Sequence, residues 1–148
     1  MKKIKLESTI NLVVLCAIIA CCFFACSKSA PTPASPQDQA KALLTAAPWK
    51  LQSSSVDGVD QTALYNGFVI TFSSSGYAAS NGGVIWPAAG TWSFQGTSTT
   101  AISRNDGLAV GIQLTSTSLV MTLNWTATTL GGGRSESTKG NNVFTMTH

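Results

Sequence analysis

The sequence predicts an all-β protein: an eight-stranded antiparallel up-and-down barrel with one short N-terminal helix. Three features of the chain point to it. From Trp49 onward apolar residues alternate with polar ones at a period of two, in four separate runs. Short stretches rich in Gly, Asn, Asp and Ser separate most of these runs, which is hairpin chemistry. Short turns make neighbouring strands antiparallel, and a meander of eight strands hides its edges by closing on itself. A two-sheet sandwich of the same strands is the alternative closure.

The chain begins with a different kind of segment. Lys2, Lys3 and Lys5 precede Leu12 to Ala25, a run of 14 residues that is wholly apolar if Cys counts as apolar. A span of about 20 residues is needed to cross a bilayer as a helix. A basic start, a short apolar core and a small residue before the break describe a secretory signal peptide over 1–25. The break, Phe23-Phe24-Ala25-Cys26, resembles a bacterial lipobox. That resemblance implies a diacylglyceryl group on the Cys26 thiol and a membrane partner held through it. Two or three acyl chains anchor stably where one is marginal. Cys21 is a rival attachment site; polar Ser27-Lys28-Ser29 after Cys26 favours the latter.

Removal of residues 1–25 takes Lys2, Lys3, Lys5 and Glu7 with it, so the formal charge falls from +3 to about +1 over 123 residues. The remaining basic residues, Lys28, Lys41, Lys50, Arg104, Arg134 and Lys139, are scattered, which argues against nucleic acid as a partner. Every Cys (16, 21, 22 and 26) lies in or at the end of the signal, so the exported domain has neither a disulfide nor a Cys-based metal site. Its stability rests on its core, and 123 residues suffice for one domain.

Residues 26–37 form a Pro/Ser-rich tether whose three prolines favour an extended spacer. The barrel domain covers 38–148. Ser35 suits a helix cap, Pro36 the first turn, and Asp38 the positive end of the dipole. Ala40, Leu43, Leu44 and Ala47 then share one face, and Pro48 stops the helix, predicting it over about Pro36–Ala46. The helix is expected to close one end of the barrel.

The four long runs are Trp49–Gln52, Phe68–Ser73, Leu108–Leu114 and Leu119–Thr126. Shorter candidates are Gly76–Ser80, Gly90–Phe94, Thr100–Arg104 and Asn142–Thr147. Ser74-Ser75-Gly76, Asn81-Gly82-Gly83 and Asn105-Asp106-Gly107 supply residues that tolerate positive φ. Asp57–Gly67 and Ala127–Asn141 read as longer gaps, the second a mobile loop or a flexible hairpin tip. The inward set is Trp49, Leu51, Phe68, Ile70, Phe72, Trp92, Phe94, Ile112, Leu114, Met121, Leu123 and Trp125.

Leu43-Leu44 before Trp49-Lys50-Leu51, Phe68–Phe72 with Gly76-Tyr77, Gly90-Thr91-Trp92-Ser93-Phe94, and Phe144-Thr145-Met146 together resemble the lipocalin-like domains of small Bacteroidetes-type lipoproteins. The resemblance covers about Lys41 to His148 and implies a calycin-like barrel that binds a small apolar ligand. The segment after Cys26 lacks the acidic cluster that some such lipoproteins carry for surface export. Its absence favours an outer-membrane anchor that faces the periplasm, and the domain is expected to be a monomer.

The chemistry the residues offer is binding. The acids past the signal, Asp38, Asp57, Asp60, Asp106 and Glu136, form no carboxylate pair, the one His is His148, and there is no Gly-x-Ser-x-Gly, so no enzyme is expected. No spaced ligand set suggests a metal, and no cofactor is expected. An eight-stranded barrel is just wide enough for its own side chains or one small molecule. The carrier reading assigns Phe72, Trp92, Ile112, Met121 and Trp125 to an apolar ligand site. The competing reading fills the barrel with those residues and makes the protein an interaction module that presents Asp57–Gly67, Asn81–Ala89 and Ala127–Asn141 to a protein or glycan. Trp86, beside Pro87, either plugs a barrel end against the N-terminal helix or docks on a partner.

Overall fold

The computed structural model describes residues 33–127 and 138–148. The signal peptide expected over 1–25, Cys26, the expected tether as far as Thr32, and positions 128–137 of the loop expected at Ala127–Asn141 lie outside the described residues.

Ser35 starts helix α1 (Pro36–Leu44) with a capping box. Its hydroxyl accepts from the Asp38 N–H at 3.1 Å, and the Asp38 carboxylate accepts from the Ser35 N–H at 3.2 Å, so two otherwise orphaned donors are satisfied reciprocally. The helix stops two residues short of the expected Ala46. Thr45 ends it, with its N–H and its hydroxyl both donating to Lys41 O.

All eight expected strands form: β1 (Trp49–Val56), β3 (Val69–Phe72), β4 (Gly76–Ser80), β5 (Ala89–Phe94), β6 (Ala101–Arg104), β7 (Ala109–Leu114), β8 (Ser118–Trp125) and β9 (Gly140–Thr147). The gap Asp57–Gly67 is not the plain loop expected from its composition. It holds a two-residue strand β2 (Val59–Asp60) and a 3-10 turn (Thr62–Tyr65). Asp57 and Gly58 both take positive φ, 50° and 82°, the geometry of a two-residue hairpin. Asp60 then accepts from the Thr62 N–H and hydroxyl, which turns the chain again. Asn81, Gly83 and Gly107 adopt the positive φ expected of them, whereas Ser74, Ser75 and Gly76 do not. That turn is held by the Ser73 hydroxyl, which bonds both the N–H and the C=O of Gly76.

Every strand pairing is antiparallel, in the order β2-β1-β3-β4-β5-β6-β7-β8-β9, and β1 also pairs with β9. The last pairing closes an eight-stranded barrel to which β2 is appended. β1 meets β9 from Lys50↔Thr147 to Val56↔Asn142 but meets β3 only at Trp49↔Ile70 and Lys50↔Val69. A bulge between Leu51 and Ser53 bends β1 off β3, and β2 with the 3-10 turn fills the space, Gln61 N–H donating to Ser54 O.

Alternation puts one face of each strand inside. Trp49, Phe68, Ile70, Phe72, Trp92, Ile112, Met121 and Leu123 are buried as expected, while Leu51, Phe94, Leu114 and Trp125 are half-buried and pack on the same core. Tyr65, Tyr77, Ile85, Trp86 and Phe144 complete a continuous cluster through the barrel. One position is set by close approach rather than by side-chain packing. A Cβ on Gly90 would lie 2.6 Å from the Tyr77 hydroxyl and 2.7 Å from its ring. Gly90→Ala is expected to lower unfolding free energy by about 1–3 kcal/mol, read from urea midpoints, because Tyr77 is buried in the core and has little room to yield.

Candidate functional site

The five residues assigned to a ligand do not converge. Phe72 and Trp92 pack edge to face, 5.8 Å between ring centroids, at the barrel end closed by α1. The Trp92 indole donates to Ser73 O and Gly76 O, so its polar edge is already used. Ile112 and Met121 face each other across the β7–β8 pair in mid-barrel. Trp125 lies at the opposite end, last in β8 and paired with Gly140. Four of the five are core neighbours of other core residues rather than walls of one chamber.

Ile112 is the exception. It also floors a groove of about 250 Å³ between α1 and β7, whose apolar walls are Pro36, Ala40, Leu43 and Leu114, with Thr100 as a polar edge. Local sequence builds this groove. The Trp49 indole donates to Leu44 O at 2.9 Å, and Gln37 Nε2 donates to Gly96 O and Ser98 O, so α1 is pinned at its two ends. Lys41 Nζ stands 6.0 Å over the Trp92 ring. Leu43 on the apolar helix face is left 38% exposed at the rim. The helix pattern revealed Ala40 and Leu43 as a cap; it carried no sign that the cap would stand partly off the barrel.

At the other end sits Trp86, 1% exposed, with rings on several sides: Phe68 at 6.3 Å, Tyr77 at 5.6 Å and Phe144 at 6.4 Å. It is a plug, but not against the N-terminal helix. It arrives from the β4–β5 connection, at the end of β4 far from α1. The Arg104 guanidinium lies 5.0 Å over its ring, donates to Ile85 O, and pairs with Asp106. Burial pushes the Asp106 carboxyl up, but the bonds from Arg104 and from the Leu108 N–H outweigh it and hold the group below the usual carboxylate range.

Among the described residues, the same end carries three exposed large apolar side chains, Val59, Leu64 and Val84. The strand register aligns two rows there. Gln61 stands opposite Ser54, and Ser54 opposite Phe144; one step outward, Val59 stands opposite Val56, and Val56 opposite Asn142. Among the described residues, Ser54 Oγ, Gln61 Oε1, Asn142 Oδ1 and the indole N–H groups of Trp86 and Trp125 are buried with no hydrogen-bond partner. An unmet buried polar atom costs about 1–3 kcal/mol. Five of them together rival the entire stability of an ordinary domain, about 5–15 kcal/mol. Sequence reasoning missed Ser54, Gln61 and Asn142, because a lone polar residue in a strand reads as solvent-facing and Gln61 lay in an apparent loop.

No family model, curated protein or solved structure matches the chain. Fold and site therefore rest on the chain's own geometry. Each described acid has a structural partner: Asp38 in the capping box, Asp57 accepting from the Asn141 N–H, Asp60 on Thr62, and Asp106 on Arg104. Among the described residues, no helix is long and apolar enough to cross a membrane, and no three His, Cys, Asp or Glu residues are grouped to hold a metal ion.

Proposed function

We propose that this chain is a lipid-anchored lipoprotein of the outer membrane, facing the periplasm through lipidated Cys26, whose lipocalin-like barrel binds one small apolar molecule. The molecule sits at the helix-capped mouth rather than in the barrel interior. The observation that carries the reading is the groove between α1 and β7, lined by Leu43, Ile112 and Leu114 and about 250 Å³ in volume. Small-molecule sites are concave, mostly apolar and carry a few polar groups at the edge, as Thr100 does here. The filled aromatic core argues against a ligand deeper in the barrel. The tether joins the domain at Pro36, itself a wall of the groove, so the point of attachment and the ligand site share one end of the domain.

Titration with N-phenyl-1-naphthylamine, a neutral apolar probe that fluoresces when shielded from water, tests this. Saturable one-to-one binding is expected, lost in Leu43→Glu and kept in Val84→Asp at the other end. Absence of saturable binding, or loss in Val84→Asp alone, would sink the groove reading. The exposed Val59, Leu64 and Val84 favour the second reading, an interaction module; loss of partner capture in Val84→Asp with probe binding intact would support it.

A further inference from the structure

We propose that the barrel end opposite α1 is a second binding site, for a small uncharged molecule rich in hydroxyl or amide groups, of the chemistry of an acetamido sugar. The site is independent of the groove at the helix end. Its donors are the Trp86 and Trp125 indole N–H groups, its acceptors Gln61 Oε1 and Asn142 Oδ1, and Ser54 Oγ serves as either. These are groups that the described residues leave unmet.

The register makes the cluster local. Ser54 and Gln61 are direct cross-strand neighbours, and Asn142 is the diagonal neighbour of Ser54 on the inner face of β9. Trp125 stands one inward position beyond Leu123, which pairs with Asn142. Trp86 lies against Phe144, the residue opposite Ser54. Asn142 is held with its amide nitrogen spent on Thr138 O and Gly140 O, so its carbonyl oxygen is the free end. The pinned orientation of that acceptor does not depend on the ligand.

Charge sets the class. Arg104, the buried cation nearest Trp86, is consumed by Asp106, Ile85 O and the indole ring. The two nearby carboxylates are engaged as well, Asp57 by the Asn141 N–H and Asp60 by Thr62, so the five unmet groups are all neutral and suit an uncharged ligand. Hydroxyl donors suit the two amide oxygens, a carbonyl or ring oxygen suits the two indoles, and a methyl or ring face suits Val59, Leu64 and Val84 at the rim. Trp125, half-buried at the end of its strand, is the group such a molecule meets first.

The four tryptophans contain their own control. Trp49 and Trp92 have satisfied indole N–H groups, and Trp86 and Trp125 do not. The full chain, labelled with 15N-tryptophan in a zwitterionic detergent, is titrated with N-acetylglucosamine and its indole resonances are followed. Saturable shifts of Trp86 and Trp125 are expected, with Trp49 and Trp92 fixed. Ser54→Ala and Gln61→Met, each showing wild-type dispersion of the four signals, are expected to weaken binding by about tenfold through loss of one hydrogen bond. The β1→4 disaccharide of the same sugar separates two sources: equal binding marks a glycan terminus, and exclusion marks the free monosaccharide. No saturable shift, equal movement of all four indoles, unchanged affinity in both variants, or water cross-peaks at Trp86 and Trp125 that persist through the titration would each overturn the proposal. Leu43→Glu leaves this titration unchanged, so failure here and failure of the groove are read separately.

Discussion

Trp86→Ala is expected to lower unfolding free energy by about 3 kcal/mol, near the lower end of the cost of emptying a large aromatic site. Trp86 fills the barrel end between Phe68, Tyr77 and Phe144, so its removal leaves a cavity among three rings. The figure sits low because the substitution also removes an unpartnered indole N–H, which offsets part of the loss. Thermal unfolding is the check, with a fall in Tm on the order of 10–20 °C for a domain of this size. Trp86→Phe keeps most of the volume and deletes the orphan donor, so it is expected to stay close to wild type. An unchanged Tm in Trp86→Ala would mean that the residue is not a plug.

Asp106→Ala is expected to destabilise the fold by about 2 kcal/mol. The Arg104 side chain is 1% exposed, and removal of Asp106 deletes its one carboxylate partner among the described residues. Breaking a fully buried pair costs about 3–5 kcal/mol. The Asp106 carboxylate is 42% exposed, so water screens part of the pair and the figure is discounted accordingly. The pH dependence has a defined sign. Asp106 has a folded-state pKa below its unfolded value, so its stabilisation is fully present above the unfolded pKa and is lost as pH falls through the folded one. Urea midpoints of the wild type and Asp106→Asn are expected to differ at pH 7 and to converge below about pH 4. A gap that stays constant down to pH 2 would show that charge plays no part in holding Arg104.

Alternation made four barrel strands legible, because a period of two is a local property of half-buried strands and survives without knowledge of neighbours, and the four shorter ones were legible as candidates beside them. The α1 start was legible for the same reason, since a capping box is complete within four residues. Three features were not. β2 depends on Asp57 and Gly58 both accepting positive φ and on Gln61 finding Ser54, a pairing that the composition of Asp57–Gly67 conceals. The site of the Trp86 plug depends on which barrel end the β4–β5 connection occupies, and Val84-Ile85-Trp86-Pro87 is silent on that. The inward Ser54, Gln61 and Asn142 acquire their meaning only when the β1 bulge and the β9 register put them in adjacent rows.

Spacing and backbone chemistry within a few residues dictate the class of the fold, its barrel strands, the helix cap and which residues turn inward. Those local patterns leave open that the inward aromatics pack on one another, that a groove opens beneath α1, and that unmet polar groups gather at the opposite end. Such outcomes arise from how β1 closes on β9 and how far α1 stands from β7, and these are distances between segments remote in the chain.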